Sequence, residues 1–92
     1  MKTYLCPVCG YDQLEFPPKD FSICASCGTE FGYDDRMLSH AELTEQWVKH
    51  GCPWFDVEEQ RPFGWQPYLQ LIRAGLGWAV PKHEELKISV AA

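Results

Sequence analysis

The chain has 92 residues, and its eight Lys and Arg are outnumbered by 13 Asp and Glu, which gives a formal charge of −5 at neutral pH. No apolar run approaches the roughly 18 residues that a membrane span needs, and the first residues do not form the apolar stretch of a signal peptide. A chain of this length suits one small domain that buries only about 60 to 65% of its unfolded surface, so its core gains from reinforcement. We therefore predict a cytoplasmic protein with reduced thiols and no membrane role.

Two cysteine turns dominate the first third of the sequence. One pattern, C-x2-C-x14-C-x2-C, is formed by Cys6-Pro7-Val8-Cys9-Gly10 and Cys24-Ala25-Ser26-Cys27-Gly28. Two residues between the thiols of a pair let both sulfurs face one ion, and the long connection lets the chain reverse and complete a tetrahedron. The spacing predicts one structural Zn2+ with four ligands, Cys6, Cys9, Cys24 and Cys27. Disulfides are the alternative, but the repeated turn and the lack of an export signal favour a metal.

Short segments that are predicted as strands flank both cysteine turns, and Phe21-Ser22-Ile23 among them alternates apolar and polar residues. They cover residues 3–5, 11–16, 21–23 and 29–31, with Pro17 and Pro18 in the connection. Alternation of apolar and polar residues beside a turn is typical of a hairpin. The sequence therefore predicts a small α+β fold: a metal-stabilised zinc ribbon with short β-hairpins over residues 1–37, and a helical and loop extension over residues 38–92 that packs on it as one compact domain.

Two short helices are predicted in this extension. Ser39 and Glu42 form an S-x-x-E capping box at the start of the first helix, and Gly51 stops it. Pro67 suits the first position of a second helix that runs to residue 74, where Gly75 terminates it.

Between the helices, residues 52–66 are rich in aromatic side chains and have neither a helical nor a strand period. Such a loop either folds back over the core or presents an interaction surface, and the sequence leaves both open. Cys52, the fifth cysteine, is predicted to be a small buried residue. In the tail, Leu86, Ile88 and Val90 alternate, which predicts an edge strand or a segment that orders only on a partner.

Several of these motifs resemble the cysteine-rich CPCC-type small bacterial proteins, over roughly residues 4–75. The resemblance depends on Cys6-Pro7-Val8-Cys9-Gly10, Pro17-Pro18, Ile23-Cys24 through Cys27-Gly28, Glu30-Phe31-Gly32-Tyr33-Asp34-Asp35, Trp47 and Gly51-Cys52-Pro53-Trp54. It implies an N-terminal metal-binding ribbon. It also implies a function, because some small proteins of this kind lie beside genes for polymorphic toxins and look like immunity partners. This chain has Val8 and Ser26 where the family name describes adjacent cysteines.

Acidic residues are concentrated in the middle of the chain. Residues 30–59 hold eight acids against only Arg36 and Lys49. A zinc ion with four thiolates adds a further −2, which brings the charge to about −7. Such a surface repels phosphate backbones and attracts a basic partner, while a solvated face that aids solubility explains the same residues.

Taken with the resemblance, these features predict a protein-binding module with structural zinc, and most specifically an immunity protein that occludes the basic active-site cleft of a toxin enzyme. The predicted partner surface combines aromatic anchors with steering charges: Trp54, Phe55, Trp65 and Trp78, with Asp34, Asp35, Glu58 and Glu59.

Other functional classes fit the sequence less well. A zinc-ribbon regulator that binds nucleic acid normally clusters its Lys and Arg, and here they are scattered. The stretch from Tyr4 to Tyr11 also resembles the first turn of a rubredoxin, which implies iron and electron transfer, but the segment between the two turns is too short for that family. We predict that the protein is not an enzyme, because adjacent Asp34 and Asp35 define no reaction and no phosphate-binding loop or nucleophile motif is present.

Overall fold

The computed structural model describes residues 2–82. Helix α1 spans His40–Lys49 and helix α2 spans Pro67–Arg73, and two short 3-10 turns cover Asp34–Arg36 and Gly77–Ala79. The predicted tail strand at Leu86, Ile88 and Val90 lies outside the described residues. The division at residues 37 and 38 stays a prediction.

Both helices begin where the sequence predicts. Ser39 Oγ accepts a hydrogen bond from the Glu42 amide at 3.1 Å, and Glu42 Oε1 accepts one from the Ser39 amide at 2.9 Å. The capping box is therefore confirmed, and it satisfies two amides that a helix start otherwise leaves without partners. Pro67 is the first residue of α2, where its missing amide hydrogen removes no helical bond.

The predicted β-hairpins are wrong, and the fold is not the small α+β ribbon that the alternating segments indicated. Over residues 2–82 the chain forms no strand, only two isolated antiparallel bridges, Tyr4 with Leu14 and Ile23 with Glu30. Pro17 lacks the amide hydrogen that would continue a ladder between the arms. Around the second turn, the arms pair only over residues 21–24 and 29–31, because the chain turns at Asp20 and Phe21, which both have a positive φ.

The core lies between the cysteine turns and the helices. Val8, Phe31, Thr44 and Leu71 are fully buried there. Thr44 of α1 donates its hydroxyl hydrogen to the carbonyl of Val8, so a buried polar side chain joins this helix to the first turn. The 3-10 turn Gly77–Ala79 contacts both helices. Among residues 2–82, no helix has the length and hydrophobicity to cross a bilayer.

The aromatic segment between the helices folds back onto the rest of the molecule. Trp54 packs edge-on against Tyr11 and Trp65, with ring centroids 5.4 and 5.2 Å away, and Trp65 lies 6.3 Å from Trp47. The Trp47 indole donates to the Pro53 carbonyl at 3.0 Å. These contacts enlarge the small core with four linked rings.

Candidate metal centre

The first cysteine turn is held by backbone hydrogen bonds around Cys6. Its amide donates to the Tyr11 carbonyl at 2.8 Å, and its carbonyl accepts from the Gly10 amide at 2.9 Å. Gly10 has a φ of 84°, in the left-handed region that side chains with a Cβ avoid. The turn therefore depends on glycine at this position.

The second turn repeats this arrangement around Cys24. Its amide donates to Thr29 at 3.0 Å, and its carbonyl accepts from Gly28 at 2.8 Å, with Gly28 at a φ of 80°. The same sequence pattern thus gives the same local backbone twice. Each turn directs both of its sulfurs to one side of the chain.

The four sulfurs of Cys6, Cys9, Cys24 and Cys27 meet at one point. All lie within 4.8 Å of one another, with Cys6 Sγ 3.8 Å from Cys27 Sγ and Cys9 Sγ 3.7 Å from Cys24 Sγ. A tetrahedral zinc ion with Zn–S bonds of about 2.3 Å separates its sulfurs by about 3.8 Å. A disulfide needs about 2.05 Å, so these are free thiols placed at the spacing of a metal-ligand shell.

The pKa shifts of Cys6, Cys9 and Cys27 also support a shared metal site. Burial raises the pKa of Cys9, and hydrogen bonds with Cys24 and Cys27 raise the pKa of Cys6. The pKa of Cys27 is lowered, because neighbouring thiols donate hydrogen bonds to its sulfur and Thr29 Oγ1 lies 3.2 Å from it. Thiolates that share a buried space repel one another, and a dication removes that repulsion. These residues therefore fit a bound metal ion.

Gln70 of α2 links the two turns to each other. Its Nε2 donates to the Cys9 carbonyl and to Ser26 Oγ, both at 3.1 Å, and its Oε1 accepts from the Trp65 indole at 2.8 Å. Sequence analysis missed this residue and Thr44. The available signal was weak: each is a polar residue on the face of a helix that also carries buried side chains.

The other cysteine is separate from the sulfur group. Cys52 is only 3% exposed, which confirms the prediction that it is a small buried residue. Burial raises the pKa of Cys52 to about 11, so it is a neutral thiol at physiological pH.

Two of the predicted steering charges shape the chain that follows the second turn. Asp34 accepts a hydrogen bond from the Glu30 amide at 2.8 Å. Asp35 accepts from the Gly32 amide at 2.7 Å and pairs with His40 Nε2 at 3.0 Å. The bond to His40 lowers the pKa of Asp35, so this carboxylate stays ionised in mildly acidic solution.

The other predicted partner residues lie in different environments. Trp54 and Trp65 are half-buried in the aromatic cluster, whereas Phe55 and Trp78 are more than half exposed. Glu59 accepts a hydrogen bond from the Tyr11 hydroxyl at 2.7 Å, and it and Glu58 are exposed. The structure thus brings Trp54, Trp65 and Glu59 together, and their partner-binding role stays a prediction.

Comparison with known proteins adds no relative to these observations. No protein-family model matches the chain, and neither the curated proteins nor the solved structures give a match.

Proposed function

We propose that the chain is a protein-binding module stabilised by one structural Zn2+, and that it is not an enzyme. The observation that supports this most directly is the closed group of four sulfurs. A catalytic zinc site has three protein ligands and leaves one position for water or substrate, whereas four cysteines fill the shell. Bound zinc would supply folding energy here, of about 10 kcal/mol in comparable sites.

Zinc and iron are distinguished by one measurement on purified protein. We expect a colourless protein with one zinc per chain, measured by elemental analysis. A red protein with ferric iron in the same site would contradict the zinc proposal and favour electron transfer.

We further propose that the partner is a toxin enzyme with a basic cleft, which the chain occludes as an immunity protein. The formal charge of −5 supports an anionic surface, and the four thiolates with zinc make it more negative. A cleft that binds phosphate groups or nucleotides is basic, so an acidic protein associates with it rapidly and competes with its substrate.

The structure indicates which acid tests this proposal most cleanly. Asp34, Asp35 and Glu59 each accept hydrogen bonds that shape the fold, so changing them alters structure as well as charge. Glu58 is exposed, and within residues 2–82 its carboxylate has no hydrogen bond. Glu45 on α1 is also exposed without such a bond in this part of the chain, and serves as the matched control.

The experiment begins with affinity purification of the zinc-loaded chain from its native cell and identification of the protein that co-elutes. Association with that purified protein is then measured by stopped-flow at several salt concentrations. We expect Glu58→Lys to slow association several-fold and to weaken its salt dependence, while Glu45→Lys changes both less. Equal rates for the two variants would contradict steering through this surface, and co-elution of DNA or RNA would contradict a protein partner.

A further inference from the structure

Three large apolar side chains stay exposed along one groove next to the second cysteine turn. Phe16 is 64% exposed, Phe21 61% and Ile23 53%. They line a groove of about 320 Å3 together with the buried residue Leu14. Side chains of this size are normally placed in the core when the fold has room for them, so a cluster at one groove indicates a binding surface.

Phe21 occupies a backbone conformation that does not favour it. The Ser22 amide donates to the Lys19 carbonyl at 3.1 Å, which closes a four-residue turn with Asp20 and Phe21 at its centre. Both central residues have a positive φ, 55° for Asp20 and 63° for Phe21. Such turns prefer Asn-Gly or Asp-Gly, and a bulky residue at the second position is strained. Backbone preference therefore does not account for this phenylalanine, and its ring is only partly covered, beside Gly32.

The turn that presents Phe21 is nevertheless tied down. Ser22 Oγ donates to the Pro17 carbonyl at 2.7 Å, and the Phe21 amide donates to the Phe31 carbonyl at 2.8 Å. The ring is thus displayed on a rigid backbone, which lowers the entropy cost of binding through it.

The rim of the groove has one sign of charge. Glu15, Asp56 and Glu59 line it, and none of its lining residues within the described chain is a lysine or arginine. An apolar floor between carboxylates complements an apolar side chain between cations.

We propose that this groove docks a segment of a partner protein in which an aromatic or aliphatic side chain stands between Lys or Arg residues. The inference rests on the proposed protein-binding function, but not on the immunity role. It adds Phe16, Phe21 and Ile23 as contact residues, none of which sequence analysis assigned.

Binding is tested with short random peptides displayed on phage and selected against the zinc-loaded full chain. We expect selected peptides to have an apolar residue flanked by Lys or Arg, and Phe21→Gly and Ile23→Ser each to weaken their binding by about tenfold or more. Phe63→Ala removes another fully exposed phenylalanine outside the groove and should leave affinity unchanged. Acidic peptides, or equal binding to Phe21→Gly, would overturn the proposal.

A thermal melt of Phe21→Gly tests whether the backbone at residue 21 is strained. Glycine adopts the left-handed conformation freely, so Phe21→Gly should keep or raise the midpoint, by up to about 5 °C, while binding is lost. A lower midpoint would mean that Phe21 serves the fold, and would overturn the argument for binding.

Two further measurements test for other occupants of the groove. A dimer in sedimentation that Phe21→Gly dissociates would assign the groove to a second copy. NMR contacts from the groove to residues 83–92 of the same chain would assign it to the tail. Either result would overturn this inference without contradicting the proposed protein-binding function. Conversely, failure to purify a partner from the native cell would leave the peptide result unaffected.

Discussion

The two cysteine turns have the same local backbone and very different surroundings. The first lies under both helices, through the hydrogen bonds of Thr44 to Val8 and of Gln70 to Cys9. The second is covered chiefly by an irregular segment, where the Phe55 amide donates to the Ser26 carbonyl at 3.1 Å, and the bond from Gln70 to Ser26 Oγ joins it to one helix. A short motif therefore determines the shape of a turn, while distant parts of the chain determine how firmly that turn is held.

The largest effect is expected from removing a metal ligand, and it should be equal for the two turns. Cys9→Ser in the first turn and Cys24→Ser in the second each take away one of four sulfurs, and a structural zinc ion in such a site contributes about 10 kcal/mol to folding. We expect both variants to lose zinc and cooperative unfolding, as measured by elemental analysis and circular dichroism.

Cys52→Ser is the matched control, because Cys52 is buried outside the sulfur group. It should bind one zinc per chain. A wild-type chain that stays fully folded in excess EDTA would contradict the structural role of the metal.

A smaller effect should separate the two turns. A Cβ at Gly10 would lie 2.7 Å from both Ala74 Cβ and the Gln70 carbonyl oxygen, which are parts of a packed helix end that does not move easily. We expect Gly10→Ala to cost about 3 kcal/mol or more, from the left-handed φ together with this overlap.

At Gly28 the obstacle is the Phe55 ring, which is half exposed, so we expect it to rotate toward solvent. Gly28→Ala should therefore cost about 1 to 2 kcal/mol, mainly from its φ. Denaturant unfolding of the zinc-loaded proteins measures both, and adding Phe55→Ala should reduce the penalty at Gly28 only. A Gly28→Ala cost equal to that of Gly10→Ala would contradict the difference in packing.

The smallest effect is expected at the hydroxyl group of Tyr11, the residue that follows the first turn. Thr29 holds the matching position after the second turn. Burial, with the hydrogen bond to Glu59, raises the pKa of Tyr11. The protonated phenol is thus favoured in the folded state, so its contribution is complete below the ordinary pKa of about 10 and is lost as the pH rises through the higher folded value.

We expect the stability of the zinc-loaded protein to fall more steeply above about pH 10 than that of Tyr11→Phe, which has no phenol to titrate. Ultraviolet absorbance of the phenolate follows the titration, and urea unfolding follows stability. Parallel curves for the two proteins would contradict the raised pKa of Tyr11.

Local signals in the sequence predicted the parts of the fold that depend on neighbouring residues. The capping box at Ser39 and the proline at residue 67 marked the helix starts, since each satisfies or removes amides within one turn. The cysteine spacing indicated the sulfur group, because two residues between the thiols of a pair let both sulfurs face one ion. The hairpins were wrong because alternation over three residues does not ensure that two arms stay paired.

The cover of the second turn was not predictable from periodicity. From Cys52 to Asp56 the chain alternates between more buried and more exposed residues, as an extended segment does. The sequence does not show this pattern, because Phe55 is apolar and yet lies on the exposed side. Its backbone pairing with Ser26 connects residues far apart in the chain, and no local pattern encodes such a pairing.

The four cysteines differ in burial, and this difference predicts which of them would first release a bound metal. Cys6, Cys9 and Cys24 are fully buried as residues, whereas Cys27 is partly exposed. We therefore expect peroxide or a competing small thiol to react with Cys27 before the other three, and loss of a bound metal to begin at this residue. The second cysteine turn would then lose its hold on the metal before the first, and we expect a reductant and fresh zinc to restore the centre after partial oxidation.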